Sequence, residues 1–247
     1  MPALLVLACS VPETGGSRIE VATRIQGEAA ARDGFENAFG WRIELSLARV
    51  AFAHLYYVTG ESVGSPGAWN PFVAVAHAHP GHYDAGEVLA EMGEHAVVDL
   101  LGRPESLGAR EGVTGAVRSA VVTFGTLSRA SSDAGAAPNV LELEGVARSN
   151  ASTVQFEASV AAHDLLHVAS DLPEVEGCPF EGELATSGTV TCEVLVSVWL
   201  DQVDFAAFEP NLETRVEFER RTEAHNALTR GVRKAVAYSF SFESENR

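Results

Sequence analysis

Five of the eight histidines fall between His54 and His95. The densest part is the string His77-Ala-His79-Pro-Gly-His82-Tyr-Asp84-Ala-Gly-Glu87. His77 and His79 end the extended run Phe72-Val-Ala-Val-Ala-His-Ala-His. In a strand, side chains at i and i+2 leave one face, with Cα atoms roughly 6.5–7 Å apart. Two imidazoles so placed can share a cation, each through a nitrogen at about 2.0–2.1 Å if the ion is zinc. Pro80-Gly81 then reverses the chain and returns His82 to the same point. Asp84 and Glu87 follow, as a fourth ligand or as acceptors that fix imidazole tautomers. Imidazole with carboxylate suits a divalent transition metal, with Zn or Cu(II) foremost, and Cu(I) lacks its soft donors.

His54 and His95 are further candidate ligands. His54 shares its face with Val50, Phe52 and Tyr56 if 49–58 is one strand, and a histidine there is more often a hydrogen-bonded core residue. His163 and His167 could share a metal only if 159–168 were helical. The alternation of Val154, Phe156, Ala158 and Val160 predicts a strand instead, which separates them by roughly 13 Å. His225 precedes the C-terminal helix and is expected to be exposed.

The elements that must hold these residues read mostly as strands. Ile19, Val21, Thr23 and Ile25 oppose Glu20, Ala22 and Arg24. Trp41, Ile43, Leu45 and Leu47 oppose Arg42, Glu44 and Ser46, and the same period runs from Val190 to Leu200. Further strands are predicted at 49–58, 71–79, 96–101, 116–124, 140–147, 153–162 and 236–242. Period-two alternation means strands with one buried face. Gly64-Ser-Pro-Gly67, His79-Pro-Gly81, Ser131-Ser-Asp-Ala-Gly135 and Ser187-Gly188 supply turns. One helix is predicted over Thr222–Ala235 on the stripe Ala224, Ala227, Leu228 and Val232, and a shorter one over Gly86–Met92. The fold class expected is mainly β: an antiparallel β-sandwich or distorted barrel with one or two short helices.

The chain of 247 residues is 46% hydrophobic and 21% charged, ordinary for a folded protein. Its formal net charge of −17 repels phosphate backbones, so nucleic acid is an unexpected partner. An acidic surface gathers cations without selecting one. No apolar run approaches the roughly 20 residues that cross a bilayer.

Met1-Pro-Ala-Leu-Leu-Val-Leu-Ala-Cys9, followed by Ser10-Val-Pro-Glu-Thr-Gly-Gly, resembles a bacterial lipoprotein signal with its lipobox. The resemblance implies lipidation of Cys9, a leader and tether over 1–18, and one β-rich domain over 19–247. The apolar stretch is short, and no Lys or Arg precedes it. Cys178 and Cys192 are then expected to pair as a disulfide, stable in an oxidising compartment; the other reading is two reduced, buried thiols. Phe39-Gly-Trp-Arg-Ile-Glu-Leu-Ser-Leu-Ala-Arg-Val-Ala-Phe resembles the opening strands of poorly characterised bacterial secreted lipoproteins, as do Val198-Trp-Leu-Asp-Gln-Val-Asp-Phe and Gly231-Val-Arg-Lys-Ala-Val-Ala-Tyr-Ser-Phe. This likeness implies export to the periplasm or outer membrane and a β-rich fold. Copper/zinc superoxide dismutases also combine a β-sandwich, a disulfide and a His-x-His strand. Their cysteine positions and histidine order are not followed here, and their activity does not carry over.

These features predict a lipid-anchored cell-envelope protein that buffers, delivers or senses a divalent metal. Two alternatives stand beside it. In a metal-dependent hydrolase the same cluster would activate water, with Glu87, Glu91 or Glu94 as general base. The zinc-hydrolase string His-Glu-x-x-His is absent, which weighs against an enzyme. The other alternative is a β-sandwich interaction module without a specific metal.

Overall fold

Alternating apolar residues over most of the chain make strands. In a computed structural model, residues 16–61, 85–127, 138–166, 173–208 and 215–245 are described. The elements in chain order are β1 (Arg18–Gly27), α1 (Ala29–Asp33), β2 (Phe35–Glu36), β3 (Arg42–Val58), β4 (Val88–Met92), β5 (Ala96–Asp99), β6 (Glu105–Val113) and β7 (Ser119–Phe124). They continue with β8 (Asn139–Arg148), β9 (Thr153–Ala161), α2 (Ala162–Leu165), β10 (Glu174–Glu181), β11 (Gly188–Val194), α3 (Val196–Leu200), β12 (Val216–Glu217), α4 (Glu223–Val232) and β13 (Tyr238–Ser244). Single 3-10 turns lie at Phe205–Ala207 and Ala235–Ala237.

The fold is mainly β, as expected, but its 13-stranded sheet is mixed rather than antiparallel. β1 runs parallel to β11, β10 to β13, and β12 to β9. The hydrogen-bonded order is β12-β9-β8-β3-β4-β6-β1-β11-β13-β10-β7, and β7 pairs again with β3. A path leaving β3 through β4 therefore returns to β3 through β7. β4 and β7 meet the same residues of β3, Leu55–Val58, so they occupy its opposite edges. The earlier half of β3 pairs instead with β8 over Arg42–Val50. One 17-residue strand thus belongs to both parts of the sheet.

Side chains fill the interior of the closed path. The Tyr57 ring lies 5.7 Å from Phe180 and 6.0 Å from Phe240. Its hydroxyl is 2.6 Å from Thr23 Oγ1, a buried pair in which either oxygen can donate. Buried polar groups need such partners, and this one is satisfied.

A second apolar layer covers one face of β3, β8 and β9. Phe156 on β9 packs on Phe205 and Phe218, with ring centroids at 5.1 and 5.5 Å, and Trp41 meets Phe205 at 5.7 Å. α3 and α4 lie side by side behind this cluster. Asn37 joins it to the sheet: its Nδ2 donates to Leu200 O and Val203 O at 3.3 and 2.8 Å, and its Oδ1 accepts from Phe39 N and Trp41 N.

Several expected elements differ. Gly86–Met92 is no helix; Val88–Met92 is the strand β4. The alternation through Val190–Leu200 breaks at Leu195, after which 196–200 is α3. There the Ser197 N–H donates to Glu28 Oε1 at 2.6 Å, and packing overrides the valines' strand preference. There are four α-helices in the described residues rather than one or two. The predicted strand 71–79 lies outside the described residues. None of the described helices is long and apolar enough to cross a membrane.

Candidate functional site

Of the expected metal ligands, His54, Glu87 and His95 are described, and they do not come together. His54 faces away from Val50 and Phe52, because a β-bulge between Phe52 and His54 shifts the alternation. Leu55 and Tyr57 turn inward, while His54 and Tyr56 stand half-exposed on the outer face. There His54 Nδ1 lies 2.9 Å from Glu91 Oε1, and the imidazole stacks on the Tyr56 ring at 5.8 Å. Burial, then the charges of Glu91 and Glu174, raise the Tyr56 phenol above its usual range. His95 turns elsewhere: its Nε2 sits 2.8 Å from Thr126 O, against Gly125. Glu87 is exposed, and its backbone N–H donates to Thr59 Oγ1 at 2.8 Å.

Among the described residues, no three of His, Cys, Asp and Glu are arranged to hold a metal ion. On the described residues, this corrects the expectation of a metal as cofactor and partner. His77, His79, His82 and Asp84 lie outside the described residues, as do Cys9 and His167.

The disulfide expectation is also corrected. Cys178 and Cys192 are buried free thiols. Their strands are not neighbours, since β13 runs between β10 and β11. Two strand spacings amount to roughly 9–10 Å, beyond the about 7 Å that a disulfide spans between Cα atoms. Cys192 stands opposite Phe240, and Phe240 opposite Phe180, which leaves Cys178 two residues further along. Burial pushes both thiols up, which keeps them protonated and inert.

The described surface carries a cavity of about 330 Å³ on the helix-free face of β3, β8, β9 and β12. Alternation puts Phe156 and Leu143 toward the apolar layer and Glu157, Ser159, Glu142 and Glu144 toward the opening. Register then aligns the acids: Glu144 stands opposite Glu157, and Glu157 opposite Glu217. Neighbouring strands are about 4.8 Å apart, so three carboxylates form one row across them. Like charges directly opposite one another destabilise a sheet. Arg215 offsets part of this, with its NH1 2.5 Å from Glu144 Oε2, and Arg49 pairs with Glu142 at 2.8 Å. Among the described residues no ion pair reaches Glu157 or Glu217. The opening therefore presents four carboxylates against two guanidiniums.

Set against protein-family models, curated proteins and solved structures, the chain matches none. Function must come from the site itself.

Sequence reasoning missed both the acidic row and a second cluster. His225 is buried, not exposed, at 3% of its surface. Its Nε2 lies 3.6 Å from Asp164 Oδ2, and neither ring nitrogen has a hydrogen-bond partner. Asp164 also takes Arg220 NH2 at 2.6 Å and His163 Nε2 at 3.2 Å on its other oxygen. A signal for His225 existed: positions 225, 228, 229 and 232 share one face of α4, and all are buried. The glutamate row had none, because cross-strand register cannot be read from spacing along the chain. The pentad Gly60-Glu61-Ser62-Val63-Gly64 has the Gly-x-Ser-x-Gly spacing of a hydrolase nucleophile elbow. Such an elbow joins a strand to a helix, and Ser62 lies outside the described residues.

Proposed function

We propose that this protein is an interaction module, not an enzyme, whose acidic face binds a basic segment of a partner protein. The observation carrying this reading is the in-register row Glu144–Glu157–Glu217 at the mouth of the 330 Å³ cavity. A row of like charges costs sheet stability, and a lysine or arginine side chain from a partner would relieve it. The floor includes Leu47, against which the aliphatic stem of such a side chain can lie. The formal charge of −17 steers cationic partners toward the surface in the same sense.

The test is binding of a fluorescent peptide rich in lysine and arginine. Glu157→Gln with Glu217→Gln should weaken binding about tenfold, since two lost ion pairs at up to about 1 kcal/mol each exceed the 1.4 kcal/mol that a decade requires. Added salt should weaken the wild type as screening shortens the Debye length. Equal affinity of wild type and variant would refute the proposal.

We further propose that the closed strand path is a distorted barrel, extended by β8, β9 and β12, within one domain over 19–247. Its eight strands match the number that encloses an interior just wide enough for side chains. The protein would be tethered to the bacterial envelope through Cys9, a reading that now rests on the 1–9 run and its likeness to lipoprotein signals, without help from a disulfide. Expressed in a bacterium with lipoprotein processing, the wild type should incorporate labelled palmitate and sediment with membranes. Cys9→Ser should do neither; label on the variant would sink the assignment.

A further inference from the structure

The cluster of His163, Asp164, Arg220 and His225 has no part in the acidic face, yet it holds an unusual group. A neutral imidazole has one donor and one acceptor, and His225 leaves both buried without a partner. Native proteins rarely leave buried polar atoms so. The carboxylate that could take its proton stands 3.6 Å away, just beyond hydrogen-bond reach.

We propose that this cluster is an acid-released latch that joins α2 to the first turn of α4 near neutral pH. Its parts come from two elements brought together by the fold. Asp164 in α2 closes its own turn by accepting the Ala161 N–H at 3.3 Å. It also receives Arg220 from the turn before α4. Thr222 caps α4 through the His225 N–H, and Thr229 Oγ1 donates to His225 O, so the His225 backbone is fixed in place. At the far end of α4, Arg233 donates to Leu166 O at 2.7 Å and provides a second tie.

Charge decides the direction. With His225 neutral, the carboxylate of Asp164 and the guanidinium of Arg220 cancel. Protonating His225 adds a positive charge where the one carboxylate is already engaged by Arg220. Among the described residues, the other sides of α4 offer no relief. α3 contains no ionisable side chain, the one on β9 is Glu157 on the opposite face, and Glu223 and Arg230 of α4 itself are exposed.

Burial holds the His225 proton affinity below the ordinary 6.5, the charge of Asp164 opposing this and those of Arg220 and His163 adding to it. Burial raises Asp164, but the Arg220 hydrogen bond, the His163 charge and the Ala161 N–H outweigh it and leave the carboxyl below its usual range. A histidine that binds its proton less readily when folded stabilises the fold above 6.5, and that contribution is lost as pH falls below it. The depressed carboxyl of Asp164 acts in the same sense at lower pH. The latch is therefore closed at neutral pH and opens on the acid side of 6.5.

Two measurements on the full chain test this. The His225 imidazole resonance, followed by NMR, should titrate below 6.5. Amide exchange at 161–166 and 222–229, corrected for its intrinsic pH dependence, should accelerate about tenfold between pH 7 and pH 5.5, ahead of the rest of the chain. His225→Leu should abolish that local acceleration. Titration above 6.5, exchange at the junction unchanged by pH, or acceleration spread evenly over the protein would each overturn the latch. The wild-type titration stands even where the variant fails to fold.

Discussion

Phe156→Ala is expected to destabilise the protein by about 3–5 kcal/mol, the usual range for emptying a fully buried aromatic site. Phe156 has no exposed surface, and its ring touches Phe205 and Phe218, while the Cβ that Gly145 lacks would stand 3.1 Å from its Cζ. The site collapses poorly because three of its walls are rings or strand backbone, so the upper half of that range applies. For a chain of this size the melting temperature should fall by about 10 °C. Phe156→Leu keeps most of the volume and should cost less. The effect also reaches the acidic face, since Phe156 and Glu157 are adjacent on β9. Peptide affinity should fall with stability in Phe156→Ala, but not in a destabilised variant on the β1 side. Thermal melts of the two variants, alongside peptide titration, check both parts.

Gly231→Ala has the second large effect, although helix propensity argues the other way. Alanine gains about 1 kcal/mol over glycine within a helix. Gly231, however, lies where α4 crosses α3, and an added Cβ would meet Trp199 backbone atoms, its Cα at 2.7 Å and its C at 2.8 Å, with the carbonyl oxygen nearer still. Backbone cannot rotate aside as a side chain can. Overpacking of this kind costs up to about 3 kcal/mol, so the net loss should be about 2 kcal/mol. A denaturation midpoint equal to or above that of the wild type would mean that the helices are less tightly apposed than the Trp199 contact implies. The glycine is needed for close approach rather than for its backbone angle.

Much of the fold was legible in period-two alternation. β9 and β11 bury the residues that the pattern assigned inward, as do Val21, Thr23 and Ile25 of β1, whereas in β3 Ile43 is buried but a register shift between Leu45 and Leu47 leaves both half-buried. β6 was not legible, because most of Glu105–Val113 is exposed and Gly108 and Gly112 interrupt any apolar period. β10 is missing from the predicted strands for a physical reason: it carries a register shift between Val175 and Cys178, and Gly177 sits there at φ 70°. The same device misled the reading of His54, whose parity changes at one bulge. The helix expected over Thr222–Ala235 was clearer: α4 spans Glu223–Val232 with Thr222 as its N-cap.

The site was far less legible. A dense run of histidines drew attention to 77–87, whereas the acidic row depends on strands far apart in sequence, those of Glu157 and Glu217. The disulfide failed for a related reason. Cys178 and Cys192 are near along the chain, but β13, which comes later in the sequence, is inserted between β10 and β11. The buried histidine would have emerged from the helical period of α4 alone, had its partner Asp164 been placed nearby.

The partnership of β1 with β11 sets a timetable for biosynthesis. Residues Val21–Gly27 hydrogen-bond on one edge to Gly188–Val194, so the first described strand waits for a partner that is synthesised late. At roughly 5–20 residues per second, a ribosome takes about 10–30 s to supply it. Throughout that interval an alternating strand with an unsatisfied edge is a ready template for other nascent chains. A holding chaperone, or secretion before folding, would shelter that edge until Gly188–Val194 has emerged.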